Sequence, residues 1–183
     1  MSFQSATDKA VEAMIDFSRR LVEANRLEFK GGNLSVRLGN DDMLITRRSS
    51  AKGIPTPDDI VCTSLTTQDD NALVASSAME VHRAIYLRTD ARAVIHAHPA
   101  TVVSLSFFMD EIVPPDENGL LYLRPRMSVV AAPTLFGWNL VADQMAECLA
   151  DETCVVEKVH GTSAKGRVWA HAVHRAGAAA YRR

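Results

Sequence analysis

At 183 residues, 47% of them hydrophobic and 23% charged, the chain is long enough to bury one full core and short for two. Its 20 Lys and Arg against 22 Asp and Glu exclude the basic footprint of a nucleic-acid binder, and no apolar run reaches the ~20 residues of a membrane span. Cys62, Cys148 and Cys154 are odd in number without C-x-x-C spacing, so they read as reduced thiols of a cytoplasmic protein, and the charged N-terminus has no signal-peptide core.

The first predicted element is a helix over 7–25. Ala10, Val11, Met14, Ile15, Leu21 and Val22 form its apolar stripe, and Ser5 or Thr7 is available as cap. Lys30-Gly31-Gly32-Asn33 breaks that pattern, and strands follow over 34–37 and 43–46 through a Gly39-Asn40-Asp41-Asp42 turn. A Pro-rich turn at 55–59 precedes a strand over 60–63. Ser76 and Ser77 stand before a helix over 79–87, and Asp90-Ala91 turns into a strand that starts at Ala93 and ends at His98. Further along come a helix over 99–108, an acidic loop at 114–119, and a strand over 128–131. A helix capped by Asn139 then runs to 149, and a strand over 153–159 ends in His160-Gly161. The last helix covers 167–181, where His171 and His174 share a face and read as surface histidines. Helices flanking strands, some in hairpin-like pairs, give an α/β or α+β class with a mixed or mainly antiparallel sheet.

The chemistry concentrates at His96-Ala97-His98. Alternate residues of a strand share a face, so the two histidines project together from Cα atoms about 6.6 Å apart. That suits two imidazoles converging on one metal, each nitrogen at about 2.0–2.1 Å. Pro99 ends the strand where they sit. His160, followed by Gly161, enters the same cleft without crowding. Three imidazoles with an open position describe a catalytic metal site. Other segments keep two readings each. Gly31 and Gly32 make an ordinary turn or let backbone N–H groups approach an anion. Arg47-Arg48-Ser49-Ser50 is a solvated loop or a phosphate clamp. Ser76 and Ser77 are helix caps or part of an anion site.

Several segments, in order, carry a resemblance. They are Gly32-Asn33-Leu34-Ser35-Val36-Arg37, Leu44-Ile45-Thr46, Thr56-Pro57-Asp58-Asp59-Ile60-Val61, Ser76-Ser77, His82-Arg83-Ala84-Ile85-Tyr86, Ala93-Val94-Ile95-His96-Ala97-His98, and His160-Gly161 with Gly166. Over nearly its whole length the chain resembles the class II aldolase/adducin family, in particular fuculose, rhamnulose and ribulose phosphate aldolase-type members. The resemblance implies one domain over 1–183, a three-layer α/β/α sandwich, and a homotetramer with active sites between subunits. It implies Zn2+, or Mn2+, Co2+ or Ni2+, on His96, His98 and His160. It also implies a substrate phosphate cradled by Gly32, Asn33, Ser76 and Ser77, with Arg48 and Ser49 standing where relatives carry a hydroxyl residue and a glycine.

The implied activity is aldol cleavage of a phosphorylated ketose, in which the metal stabilises the enediolate left behind. Decarboxylation, epimerisation or dehydration on the same scaffold is the alternative, and a non-catalytic adducin-like binding module is the alternative of another class. One departure stands out. The family's acid/base carboxylate lies four residues before the position of His82, and that position is Ala78. Glu80 is the nearest acid, although a continuous helix turns it about 200° from residue 78. Asp116 and Glu117 are the other candidates, in the loop from which relatives present catalytic side chains to a neighbouring subunit.

Overall fold

Strand alternation sorts the buried apolar residues onto two faces of one sheet. The computed structural model describes residues 3–39, 41–123, 125–134 and 137–167, together with 171, 172 and 175. In β2 (Asp42–Thr46), Leu44 packs to one side while Met43 and Ile45 pack to the other. In β4 (Ala93–Ala97), Ala93, Ile95 and Ala97 join Leu44, and Val94 joins Met43. β7 (Cys154–Glu157) divides in the same way, Cys154 and Val156 against Val155. The first face is covered by α1 (Phe3–Glu23), through Met14 and Leu21, and by Val102 of α3 (Ala100–Ser106). On the second face α2 (Met79–Arg88) and α5 (Ala142–Asp151) bury Ile85, Tyr86, Met145 and Leu149. Each side chain buried this completely contributes about 1.5–3 kcal/mol. These are the three layers that the family resemblance implies.

Eight strands lie in the order β3 (Ile60–Ser64), β2, β1 (Asn33–Leu38), β4, β8 (Gly161–Gly166), β7, β6 (Met127–Val130) and β5 (Glu111–Ile112). Each neighbouring pair is antiparallel except β6 and β7. Parallel strands need a crossover in place of a hairpin, and α5 makes it. The antiparallel pairing has a functional result. The start of β1, the end of β2, the end of β4 and the start of β8 all lie at one end of the sheet.

The structure corrects several local expectations. The strand expected over 153–159 stops at Glu157, and residues 158–160 turn into β8, which the sequence reading did not foresee. Asn139 caps nothing; it lies inside a 3-10 turn at Trp138–Val141, and α5 starts after it. Ala78 holds the cap position of α2, while Ser76 Oγ accepts a 3.3 Å bond from the Ala78 N–H. The first helix starts ahead of Ser5 and Thr7, at Phe3. The acidic loop becomes the first turn of α4 (Glu117–Tyr122), with Asp116 as its cap. Most of the helix expected over 167–181, His174 included, lies outside the described residues; His171, Ala172 and Arg175 are helical and His171 is exposed. Among the described residues no helix is long and apolar enough to cross a membrane.

Candidate metal centre

β4 ends at Ala97 because Pro99 has no N–H for a ladder, so His98 is released from the sheet just as its ring reaches the sheet's edge. His96 stays within β4, paired with Asn33 of β1 on one side and Ser163 of β8 on the other, and is buried. The third histidine arrives by the β7–β8 hairpin. Glu157 pairs with Gly161, and His160 is the last residue of the three-residue turn between them. Val159 in that turn holds φ 67°, an uncommon backbone state for a β-branched residue. Gly161 makes room for the rings. A Cβ there would lie 2.6 Å from Ala97 O, 2.7 Å from His98 Cδ2 and 3.1 Å from His96 Cε1.

The three imidazoles therefore meet. Ring centroids are 4.8 Å apart for His96–His98 and for His96–His160, and 5.0 Å for His98–His160. The nitrogens offered by the three rings all lie within 4.8 Å of one another. His96 Nε2 and His98 Nε2 are 3.0 Å apart, close to the ~3.4 Å that two ligands of one tetrahedral zinc keep. The other nitrogens are tied back. His160 Nδ1 lies 2.6 Å from Oε2 of the buried Glu157, and His98 Nδ1 lies 3.3 Å from Oε2 of Glu28. Ser163 Oγ stands 3.5 Å from His96 Nδ1. An Nδ1–H given to a carboxylate leaves the Nε2 lone pair facing the centre, the usual arrangement of a metal-binding histidine. The donor set fits a divalent transition metal.

Electrostatics agree with that fit. Burial, then the neighbouring rings of His98, His160 and His82, hold His96 well below the usual imidazole range. Burial also lowers His98, against the opposing pull of Glu28. These two rings are neutral near pH 7, the form that binds metal.

The residues read as an anion cradle gather beside this centre. Gly32 holds φ +68°, and a Cβ on it would collide with the His96 carbonyl and the Leu27 side chain. Asn33 lies opposite His96 and is buried. The Arg48 N–H donates to Val74 O and the Ser76 N–H to Thr46 O, which holds the loop of Arg48 and Ser49 against the segment leading to Ser76 and Ser77. The Leu34 N–H donates to Thr46 Oγ1, tying both to the start of β1. Ser49 holds φ 60°, the backbone state that suits a glycine.

The carboxylate candidates lie elsewhere. Glu80 accepts from Arg83 at 2.9 Å and from Gln68 at 3.2 Å, in a cleft it shares with Asn139 and Asp143 of the α2–α5 side. His98 lines a different cleft, of about 800 Å³, with Glu28 and Phe29. The start of α2 at Met79 thus gives Glu80 to Arg83 and leaves it apart from the imidazoles. Asp116 accepts a 3.0 Å bond from the Gly119 N–H, and Glu117 is exposed. Sequence reasoning missed Glu28, Glu157 and Ser163. For Glu157 a signal existed: an acid closing the apolar run Cys154-Val155-Val156, three residues before His160.

The family described as Class II Aldolase and Adducin N-terminal domain matches residues 12–181. The chain belongs to that family. Among class II aldolase structures, the L-fuculose-1-phosphate aldolase of Thermus thermophilus is 29% identical, with a TM-score of 0.83 over 94% of this chain and 91% of that one. Two curated relatives are methylthioribulose-1-phosphate dehydratases. That of Bradyrhizobium sp. (strain BTAi1 / ATCC BAA-1182) is 33% identical over 53% of this chain, and that of Persephonella marina (strain DSM 14350 / EX-H1) 31% identical over 61%. Those matches span 44% and 55% of the two relatives, about half their length.

Proposed function

We propose that this chain is a metal-dependent lyase acting on a ketose 1-phosphate. Its cation is held by His96, His98 and His160, and its phosphate by Gly32, Asn33, Arg48, Ser49, Ser76 and Ser77. One observation carries the reading: three converging imidazoles stand across the β1–β4 pairing from Asn33, at the end of the sheet where the cradle loops collect. A divalent cation there, zinc in the first instance, supplies Lewis acidity that stabilises negative charge developing on substrate oxygens. Glu157 and Glu28 orient the imidazoles through Nδ1. Arg48 adds a guanidinium where relatives hold phosphate with neutral groups, which favours a doubly charged anion.

Proton transfer is assigned to Asp116 and Glu117. Ala78 has no carboxyl group, and Glu80 is engaged by Arg83. The same α4 that starts with Glu117 exposes Leu120 and Leu121, and the segment after α3 exposes Phe107, Phe108 and Met109. Such apolar surface suits the contacts of a homotetramer, in which α4 brings its acids to a neighbouring subunit. Aldol cleavage is the first reading. Dehydration is the second, favoured by the names of the curated relatives.

Incubation of the zinc-loaded protein with a panel of ketose 1-phosphates tests both. Dihydroxyacetone phosphate appears for cleavage, and a diketone absorbing in the ultraviolet appears for dehydration; neither product, with zinc bound, overturns the lyase. Asp116→Asn with Glu117→Gln is expected to lower turnover by about 10²-fold, while Glu80→Gln leaves it unchanged. Sedimentation velocity checks the assembly.

A further inference from the structure

Asn33 is buried beside the metal centre, and which end of its amide faces the cradle decides whether it attracts or repels an anion. The answer lies behind it. His82 is fully buried, and its Nε2 is hydrogen-bonded to Asn33 Oδ1. Its other nitrogen, Nδ1, lies 2.6 Å from Ser35 Oγ, which lies 2.7 Å from Tyr86 OH.

The protons run one way. The Tyr86 hydroxyl is fully buried with Ser35 Oγ as the acceptor beside it, so the phenol proton goes to Ser35 Oγ. The Ser35 hydroxyl then gives its proton to His82 Nδ1, and the Nε2–H of His82 is left for Asn33 Oδ1. The reverse order would require the Tyr86 hydroxyl to find a further acceptor in a fully buried core. Burial also pushes His82 down to about 3, so the ring carries a single N–H at neutral pH.

We propose that His82 is a positioning residue: held as the Nε2–H tautomer by Ser35 and Tyr86, it fixes the Asn33 carbonyl inward and turns the Asn33 NH2 toward the substrate phosphate. The assignment rests on the phosphate-cradle reading above. It explains why four polar side chains line up through the core between α2 and the start of β1. They set the polarity of one amide.

Two measurements on the zinc-loaded chain test it. Long-range 1H–15N correlation of the wild-type chain is expected to show His82 neutral and protonated at Nε2 throughout pH 5–8. A ring protonated at Nδ1, or at both nitrogens, overturns the proposal whether or not any variant folds. Binding of inorganic phosphate is then compared between variants. His82→Leu is expected to weaken it by about tenfold, as expected for the loss of one ordinary hydrogen bond, with bound zinc unchanged. His82→Gln, whose amide N–H stands in for Nε2–H, is expected to restore it, and with a turned-over ketose 1-phosphate the loss falls on KM more than kcat. Equal phosphate affinity in wild type and His82→Leu overturns the proposal. A wild-type protein that ignores phosphate sinks the cradle reading instead, and the tautomer then decides the role of His82.

Discussion

Glu157 shows how much of a metal site lies outside its ligands. Its carboxylate is almost fully buried and sits 2.6 Å from His160 Nδ1. Such a partner fixes the ring's tautomer and raises its basicity toward a cation. Glu157→Gln keeps the shape and an acceptor oxygen but removes the charge. It is expected to lower zinc affinity by about 10–100-fold, measured by competition with a chromophoric chelator, with little change in far-ultraviolet circular dichroism. The three histidines were legible in the sequence for a physical reason: strand period two fixes the direction of His96 and His98, and a small neighbour admits His160. Their partners were not. Glu28 is 70 residues from His98 in sequence, and only the folded sheet decides that they meet.

At the scale of elements, the β7–β8 hairpin carries most of what sequence pattern hid. β8 reads Gly161-Thr-Ser-Ala-Lys-Gly, with neither the β-branched run nor the alternation that marks a strand. All six of its residues are buried all the same. It lies between β4 and β7, where the imidazoles occupy the space a larger side chain would need. The helix caps were misread at two places: α2 starts at Met79 as expected but with Ala78 at its cap position, and α5 starts at Ala142, after the 3-10 turn that holds Asn139. Gly161→Ala tests the steric part of the argument. Its methyl group would meet Ala97 O and the His98 ring, so the hairpin or the rings must give way. The substitution is expected to cost about 1–3 kcal/mol in urea unfolding and to weaken zinc binding in the same protein. Unchanged zinc affinity would mean that the rings have more room than these distances allow.

For the whole molecule, flanking helices and hairpin-like strand pairs made the fold class legible and the family resemblance supplied the three layers, whereas strand order was not legible. The pairing of β1 with β4 joins segments about 60 residues apart, a choice made by the core and invisible to local pattern. That choice stacks buried imidazoles at one end of the sheet, with consequences for stability against acid. His82 is pushed to about 3, His96 well below its ordinary value and His98 below its own, each chiefly by burial. In the unfolded chain the same groups take up protons near pH 6.5. Below that pH the unfolded state binds more protons than the folded one, so these groups favour unfolding increasingly as pH falls from about 6.5 toward 3. Above about 6.5 both states hold them neutral and the effect vanishes. Each such group steepens the loss by about 1.4 kcal/mol per pH unit. Urea unfolding of the zinc-free protein across this window is therefore expected to lose stability with decreasing pH, with His82→Gln removing one proton's share of the slope. Zinc should oppose the loss, because a cation on neutral imidazoles stabilises the folded state, and its benefit should shrink as protons compete for the same nitrogens. A stability profile flat between pH 6.5 and 4 without zinc would mean that these rings are far less buried than the sheet places them.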